Sequence, residues 1–330
     1  MDSQNLKYVL KQYEQKRFKA LEDLEKRKND LYKKNKRLQE IDMELSNAAI
    51  NFAKSILNSK ENSISLLEEK KEKLKKEKLK ILNSLNLDEK YLEPHFECSI
   101  CNDTGYINNG LKSIMCNCLK QELFNIEYNK SNIGNLEKEN FENFNENLYS
   151  EEINHDKYRI NISPRENIKK IKNIAINFIN NFENPDEKNL IFIGNSGLGK
   201  TFLSNCIANE ILKKNKTVLY QTAPVMLDEI INYRFGKPNS NQNIIENLLN
   251  VDLLIIDDLG TENINSMKFV ELFNIINTRI LNQNKKITKT IISTNLSLQN
   301  IYSIYDERIA SRIVGYYTVC KFYGDDIRFK

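Results

Sequence analysis

The sequence predicts an α/β protein: a parallel five-stranded sheet flanked by helices, preceded by a long helical arm and a small cysteine module. Three observations carry that expectation. From about Arg165 onward, five short apolar runs alternate with helical stretches, the pattern of a parallel sheet with crossover helices. The run Gly194-Asn195-Ser196-Gly197-Leu198-Gly199-Lys200-Thr201 stands between the first of these runs and a helix. Four cysteines fall within 21 residues ahead of the sheet, as C-x2-C-x14-C-x-C. At 330 residues, the chain is long enough for about two domains. We expect an arm over 1–90, a cysteine module over 91–125, a linker over 126–165 and a nucleotide-binding domain over 166–330.

The arm comes first. Residues 5–57 lack Pro and Gly, and Leu10, Leu24, Leu31, Leu38, Leu45 and Phe52 fall on one seven-residue grid. Leu21, Ile41, Ala49 and Ile56 partly fill the neighbouring seam. That is a long amphipathic helix with an imperfect coiled-coil stripe. The polar run 58–63 can turn the chain, and Ile64, Leu67, Leu74, Ile81 and Leu85 make a second stripe, so a helical hairpin or coiled coil is expected over 5–87. Residues 1–90 carry 22 Lys and Arg against 16 Asp and Glu, while 91–330 carry 27 against 29, so the basic excess lies in the arm. It reads either as a solvated spacer or as a partner-docking module. No apolar run approaches the roughly 20 residues of a membrane helix. The polar N-terminus has no signal-peptide core, so a cytoplasmic protein without a membrane partner is expected.

Pro94 ends the arm, and Cys98, Cys101, Cys116 and Cys118 follow. In a chain of that setting, four thiolates suit a closed tetrahedral Zn²⁺ site rather than disulfides, with an iron–sulfur cluster as the rival. Asn102-Asp103-Thr104-Gly105 is turn-forming and fits a knuckle whose backbone N–H groups face the sulfurs. His95 could compete as a ligand. Cys206 and Cys320 read as core residues.

In the sheet, the apolar runs are Leu190–Ile193, Thr217–Tyr220, Leu253–Ile256, Thr290–Ser293 and Val319–Tyr323. Glycines in Gly194–Thr201 let backbone N–H groups wrap phosphates, and the following helix, expected over Phe202–Lys213, adds positive potential. Lys200 is expected to neutralise β/γ oxygens of ATP and Thr201 to bind Mg²⁺. The run Leu253–Ile256 lifts Asp257 and Asp258 towards those phosphates, Asp257 to hold Mg²⁺ through water and Asp258 to polarise the attacking water. Many ATPases of this kind carry Glu in place of Asp258, so Glu262 is a second candidate. One strand between the phosphate loop and Asp257 fits the additional-strand class. Asn295, at the end of Thr290–Ser293, is a candidate sensor for the γ-phosphate. Arg308 and Arg312 share one helix face, placed for a finger on a neighbouring subunit's nucleotide, with Arg312 favoured. Arg328 is a candidate phosphate contact in cis. Lys237, Lys285, Lys286 and Lys289 are candidate DNA-phosphate contacts, although no aromatic-plus-basic stripe stands out.

Taken together, GNSGLGKT, LLIIDDLG, STN, ERIASRI, GDDIR and the CSICNDTGYI…CNC segment resemble the bacterial replicative-helicase loaders of the DnaC/DnaI type, within the AAA+ ATPases. Phe141, Phe144 and Tyr149 resemble the connector before their ATPase core. The resemblance implies an ATPase that binds a hexameric replicative helicase through its N-terminal region, contacts single-stranded DNA through the ATPase core, oligomerises on the helicase and controls its release by nucleotide state. It implies no lid domain after Arg328. IstB-like transposition ATPases share most of these motifs and form the alternative, against which the cysteine module argues. A third reading is a nucleotide-dependent scaffold that hydrolyses too slowly to matter.

Overall fold

The computed structural model describes residues 3–57, 61–110, 112–128, 138–237, 242–263, 265–283 and 285–329, excepting the side chains of 3 and 52–67. The chain divides into two compact units, residues 10–107 and residues 1–9 with 108–330. Helices α1 (Ser3–Lys34), α2 (Lys36–Leu57) and α3 (Glu61–Ser84) build the arm. The expected single helix over 5–57 is interrupted at Asn35. Its N–H closes α1 onto the Leu31 carbonyl at 2.8 Å, while its own carbonyl and side-chain oxygen accept the Leu38 N–H at 3.2 and 3.4 Å. A short amide side chain that caps a new helix competes with continuation of the old one.

After this break the buried stripe restarts. Leu24, Leu31 and Leu38 of the expected grid are buried, but in α2 the stripe continues through Ile41 and Ala48, leaving Ala49 exposed. Leu21 and Leu85 are exposed, while in α3 Leu74 is buried as expected and Leu82 is buried in place of Ile81. Arg37 of α2 reaches Glu77 of α3 at 2.8 Å and Lys78 reaches Asp42 at 2.5 Å. Partly exposed pairs of this kind contribute about 0–1 kcal/mol each. The expected turn at 58–63 lies outside the described residues up to residue 60, as do the side chains of Ile64 and Leu67.

A hairpin of β1 (Tyr106–Asn109) and β2 (Lys112–Met115) leads into α4 (Asn117–Glu127). A turn of helix, α5 (His155–Tyr158), precedes α6 (Pro164–Asn180), which starts with Ser163 capping the Glu166 N–H at 3.1 Å and Pro164 in the first turn. The alternation then runs β3 (Asn189–Ile193), α7 (Lys200–Lys213), β4 (Val218–Thr222), α8 (Ala223–Arg234), α9 (Ile244–Asn250), β5 (Leu253–Leu259), α10 (Ser266–Asn282), β6 (Lys289–Thr294), α11 (Leu298–Tyr316) and β7 (Tyr317–Lys321). The last strand starts two residues earlier than expected, because Tyr317 and Thr318 pair in register with Asn189 and Leu190.

The five strands are parallel in the order β4-β5-β6-β3-β7. Both faces are covered, so successive residues of one strand enter different cores. Ile191, Ile193, Leu254, Ile256 and Ile292 pack with α8 to α11, whereas Leu190, Phe192, Leu253, Ile255 and Ile291 pack with α6 and α7. Strand β6 separates β3 from β5. That order places the loop after β3, the end of β5 and the end of β6 side by side, where parallel sheets hold their ligands.

The segment expected as a linker is part of this core where it is described. Phe144 is 8% exposed and packs at a tilt against Phe202 of α7, with ring centroids 5.8 Å apart, and Tyr149 is 3% exposed. Residues 129–137 lie outside the described residues. Helix α4 is anchored to the edge strand β4: Gln121 accepts the Val218 N–H at 2.7 Å and donates to its carbonyl at 3.0 Å. A buried Gln is thereby used as a strand's missing hydrogen-bond partner.

Candidate functional site

Residues 194–199 form the loop after β3, and α7 begins at Lys200. Gly197 and Gly199 have φ of 74° and 83°, conformations that favour glycine. A Cβ at Gly197 would lie 2.1 Å from the Asp326 carboxyl carbon, and one at Gly199 would lie 2.6 Å from the Tyr149 hydroxyl. The loop is therefore held from two sides. The Tyr149 hydroxyl donates to the Leu198 carbonyl at 2.8 Å, and the Ile327 N–H donates to the Gly197 carbonyl at 2.9 Å. Both holding residues stand outside the motif and are invisible in its spacing.

Lys200 is 6% exposed. Its ammonium donates to the carbonyls of Gly194 (2.6 Å) and Asn195 (2.8 Å) and to Asn295 Oδ1 (2.7 Å). Burial holds its pKa below the usual lysine value, opposed by the charges of Asp257 and Asp258. Thr201 Oγ1 donates to Asp257 Oδ2 at 3.0 Å. Tyr220 donates to the same oxygen, and Ser293 donates to Asp257 Oδ1, which also accepts the Asp258 N–H at 3.0 Å. Four donors fix one carboxylate. Tyr220 of β4 and Ser293 of β6 come from the strands flanking β5, and neither was singled out in the sequence.

Asp258 follows with φ of 53° and an exposed side chain. Burial of part of its carboxyl and the neighbouring Asp257 charge raise its pKa above the ordinary value. The chain then turns tightly, the Thr261 N–H donating to the Asp258 carbonyl at 3.2 Å. Glu262 is not available as a second base. It is 8% exposed, with one oxygen accepting the Gly260 N–H at 2.9 Å and the other the Tyr305 hydroxyl.

The two candidate finger arginines belong to α11 and pack against α10. Arg308 sits over Phe269 and Phe273 at 5.2 and 5.3 Å, and Arg312 over Phe273 at 5.9 Å with its Nε donating to Asn277 Oδ1 at 2.9 Å. Arg328 pairs with Asp326, whose carboxyl it holds at about 2. Lys289 is fully buried and ties the carbonyls of Asn184 (2.9 Å) and Glu187, so it cannot meet a DNA phosphate. Lys286 pairs with Asp252 at 3.4 Å, while Lys237 and Lys285 are exposed. A cleft of about 390 Å³ opens beside the loop, lined by Lys157, Tyr158, Gly194, Leu298, Phe322 and Tyr323.

The Sγ atoms of Cys98, Cys101, Cys116 and Cys118 lie within 4.8 Å of one another. Asp103 shapes the first half. Its two oxygens accept the N–H groups of Glu97 (2.9 Å) and Cys98 (2.8 Å), and Asn102 and Asp103 both adopt left-handed φ of 50° and 55°. Cys116 is fully buried at the N-terminus of α4. Four thiolates so close repel unless a cation joins them, and their chemistry fits a tetrahedral Zn²⁺. His95 is not among them; its ring lies 3.2 Å from Arg27 of α1. Cys206 and Cys320 are buried and their thiols are pushed up to about 12.

The strand order, the loop after β3 and the Thr201–Asp257 pair define an additional-strand P-loop nucleotide-binding protein with an AAA+-type sheet. The family described as IstB-like ATP binding protein matches residues 148–326, more than half of the chain, and the chain belongs to that family. Residues of this chain are 28% identical over 123 positions to the replicative helicase loader DnaC of Escherichia coli K12, covering 37% of this chain and 49% of that protein. This chain thus spans about half the length of that curated relative. Among solved structures, the crystal structure of DnaI superposes with a TM-score of 0.42 at 25% identity, covering 51% of this chain and 87% of that one. The crystal structure of the DnaC helicase loader gives 0.41 at 23%, covering 52% and 96%. No described helix is long and apolar enough to cross a membrane.

Proposed function

We propose that the chain is an ATPase that loads a hexameric replicative helicase onto single-stranded DNA and releases it according to nucleotide state. The observation that carries the ATPase reading is the convergence of Lys200, Thr201, Asp257 and Asn295 from three neighbouring strand ends. Bound Mg²⁺ would screen the phosphate charge, with Thr201 and Asp257 as its oxygen partners. Gly194, Asn195, Ser196, Gly197, Leu198 and Gly199 cradle the phosphates, and Lys200 exchanges its loop carbonyls for phosphate oxygens. Asp258, with its raised pKa, accepts the proton of the attacking water, and Asn295 orients that water. Tyr158 and Tyr323, with ring centroids 6.2 Å apart at the cleft, offer an aromatic wall for the nucleoside. Arg312, with Arg308 beside it, acts on the nucleotide of a neighbouring copy, and Arg328 joins the phosphates once freed from Asp326.

The helicase partner is supported by the DnaC relatives, and the helical arm is the part left to dock it. The family's own description favours a transposition-type ATPase as the second reading, and the cysteine cluster favours the loader. Light scattering of this protein mixed with the replicative helicase of its own organism, with and without ATP, decides between them. A complex of many subunits is expected. No complex in either state, with DNA-stimulated ATPase intact, would sink the loader reading and leave the transposition type.

A further inference from the structure

Two features of the nucleotide-binding unit are unexplained by ATP binding: a buried glutamate after β5 and a break within α11. Glu262 is 8% exposed and its two donors, the Gly260 N–H and the Tyr305 hydroxyl, are both neutral. Burying a carboxylate against neutral partners costs more than burying an apolar pair of the same size. Tyr305 is fully buried and is the last residue before the break. Asp306 there has φ of 73°, a left-handed conformation that a non-glycine residue holds only when its surroundings enforce it.

The break has a direction. Asp306 Oδ1 accepts the Arg308 N–H at 3.1 Å and so caps the second half of α11, the half that carries Arg308 and Arg312. On the other side, Glu262 belongs to the turn that begins at Asp258, where the Thr261 N–H and hydroxyl both reach the Asp258 carbonyl, at 3.2 and 2.8 Å. Gly260 in this turn has φ of 105°, and a Cβ there would lie 2.5 Å from Leu296 Cδ1, so the turn packs closely on the segment after β6. One hydrogen bond therefore joins the turn holding the candidate base to the hinge of the arginine half-helix.

We propose that Glu262 and Tyr305 are positioning residues that couple the nucleotide state at the end of β5 to the orientation in which Arg308 and Arg312 are presented to a neighbouring copy. The proposal rests on the reading that these arginines act in trans. A shift of the β5 turn moves Glu262, Glu262 moves the hydroxyl of Tyr305, and the left-handed Asp306 converts that into rotation of the second half-helix off Phe269 and Phe273. The link acts on the arginines a copy donates, and leaves that copy's own phosphate loop untouched.

Mixed assemblies test it, using full-length chains with the helicase and single-stranded DNA. The acceptor carries Arg308→Ala and Arg312→Ala, which keeps its nucleotide site and removes its fingers. One donor carries Asp258→Asn, which keeps its fingers and its phosphate loop and removes the proton acceptor of its own turnover. A second donor adds Tyr305→Phe, and a third adds Glu262→Gln. The first donor is expected to restore ATP turnover to the acceptor, and the second and third to restore about tenfold less, a fraction of what a finger arginine is worth. Restoration by both within about twofold of the first donor overturns the link while leaving the trans reading intact. No restoration by the first donor, or no mixed assembly by light scattering, sinks the trans reading and the link with it. Melting temperatures of the second and third donors are compared with the first. If both fall by more than about 10 °C, the pair is a packing element and the proposal fails.

Discussion

Loss of Arg279 of α10 should strongly destabilise the nucleotide-binding unit. It is 1% exposed, and its guanidinium donates to the carbonyls of Leu248 (2.7 Å), Leu249 (3.3 Å), Val251 (3.0 Å) and Lys289 (2.7 Å) and to the Thr290 hydroxyl (2.9 Å). Two of those carbonyls end α9, one enters β5 and one opens β6, so a single side chain joins three elements at the edge opposite the nucleotide. Burial lowers its pKa to about 10, which leaves it charged at neutral pH. Arg279→Met keeps the stem and removes every donor. The orphaned carbonyls cost about 1–3 kcal/mol each. Even at the low end four of them amount to about 4 kcal/mol, a large part of the 5–15 kcal/mol of a whole domain. Arg279→Lys keeps the charge and fewer donors, so it should lie between. The chain has 15 tyrosines and no tryptophan, so tyrosine fluorescence and far-ultraviolet circular dichroism in urea are the assays. An Arg279→Met protein within about 1 kcal/mol of the original would refute the reasoning, because water would then be serving those carbonyls as well as the guanidinium does.

Four further outcomes are expected. Gly197→Ala should lose both stability and affinity for a fluorescent ATP analogue, and Asp326→Ala in the same chain should recover part of the loss, leaving about 1–2 kcal/mol of left-handed strain; additive effects in that double-mutant cycle would show that the loop and the C-terminal segment do not meet. Asp258 binds its proton more tightly folded than unfolded, so the stability this adds is present below its ordinary value near 3.8 and is lost as pH rises through the higher folded value. Asp258→Asn should therefore raise the melting temperature at pH 7 and lose that advantage near pH 3.5, whereas a gain independent of pH would count against the shift. Purified anaerobically, the protein should hold one zinc per chain, and Cys116→Ser should lose it. Cys206 and Cys320 should stay slow towards a thiol reagent until the protein unfolds, and rapid labelling of either in the folded state would contradict their burial.

Much of the candidate site was legible because its chemistry demands fixed spacing. A phosphate loop needs its glycines, lysine and threonine at fixed places in one short run, and a zinc knuckle needs two residues between its cysteines, so Gly194–Thr201 and Cys98–Cys101 announce themselves. The strand ends carrying Asp257 and Asn295 follow from four-residue apolar runs buried on both faces. The errors share another cause. Lys289 looked like a surface lysine because its polar partners are backbone carbonyls of residues 184 and 187, which have no sequence signature. Glu262 looked like a spare base because Tyr305 lies 43 residues away. The arm's stripe slipped after Asn35 because one amide side chain could cap a new helix there.

The sequence by itself therefore determined the class of sheet, the loop that wraps phosphates, the strand-end carboxylates and the four-cysteine cluster, since each is written in short local patterns. Tertiary structure alone decided what holds those groups still. Tyr220 and Ser293 clamp Asp257 from the two neighbouring strands, Tyr149 and Asp326 bracket the loop from distant segments, and Arg279 ties strand and helix ends through carbonyls. Those contacts depend on which strands lie side by side, and the order β4-β5-β6-β3-β7 is set by packing across the whole sheet rather than by any local run.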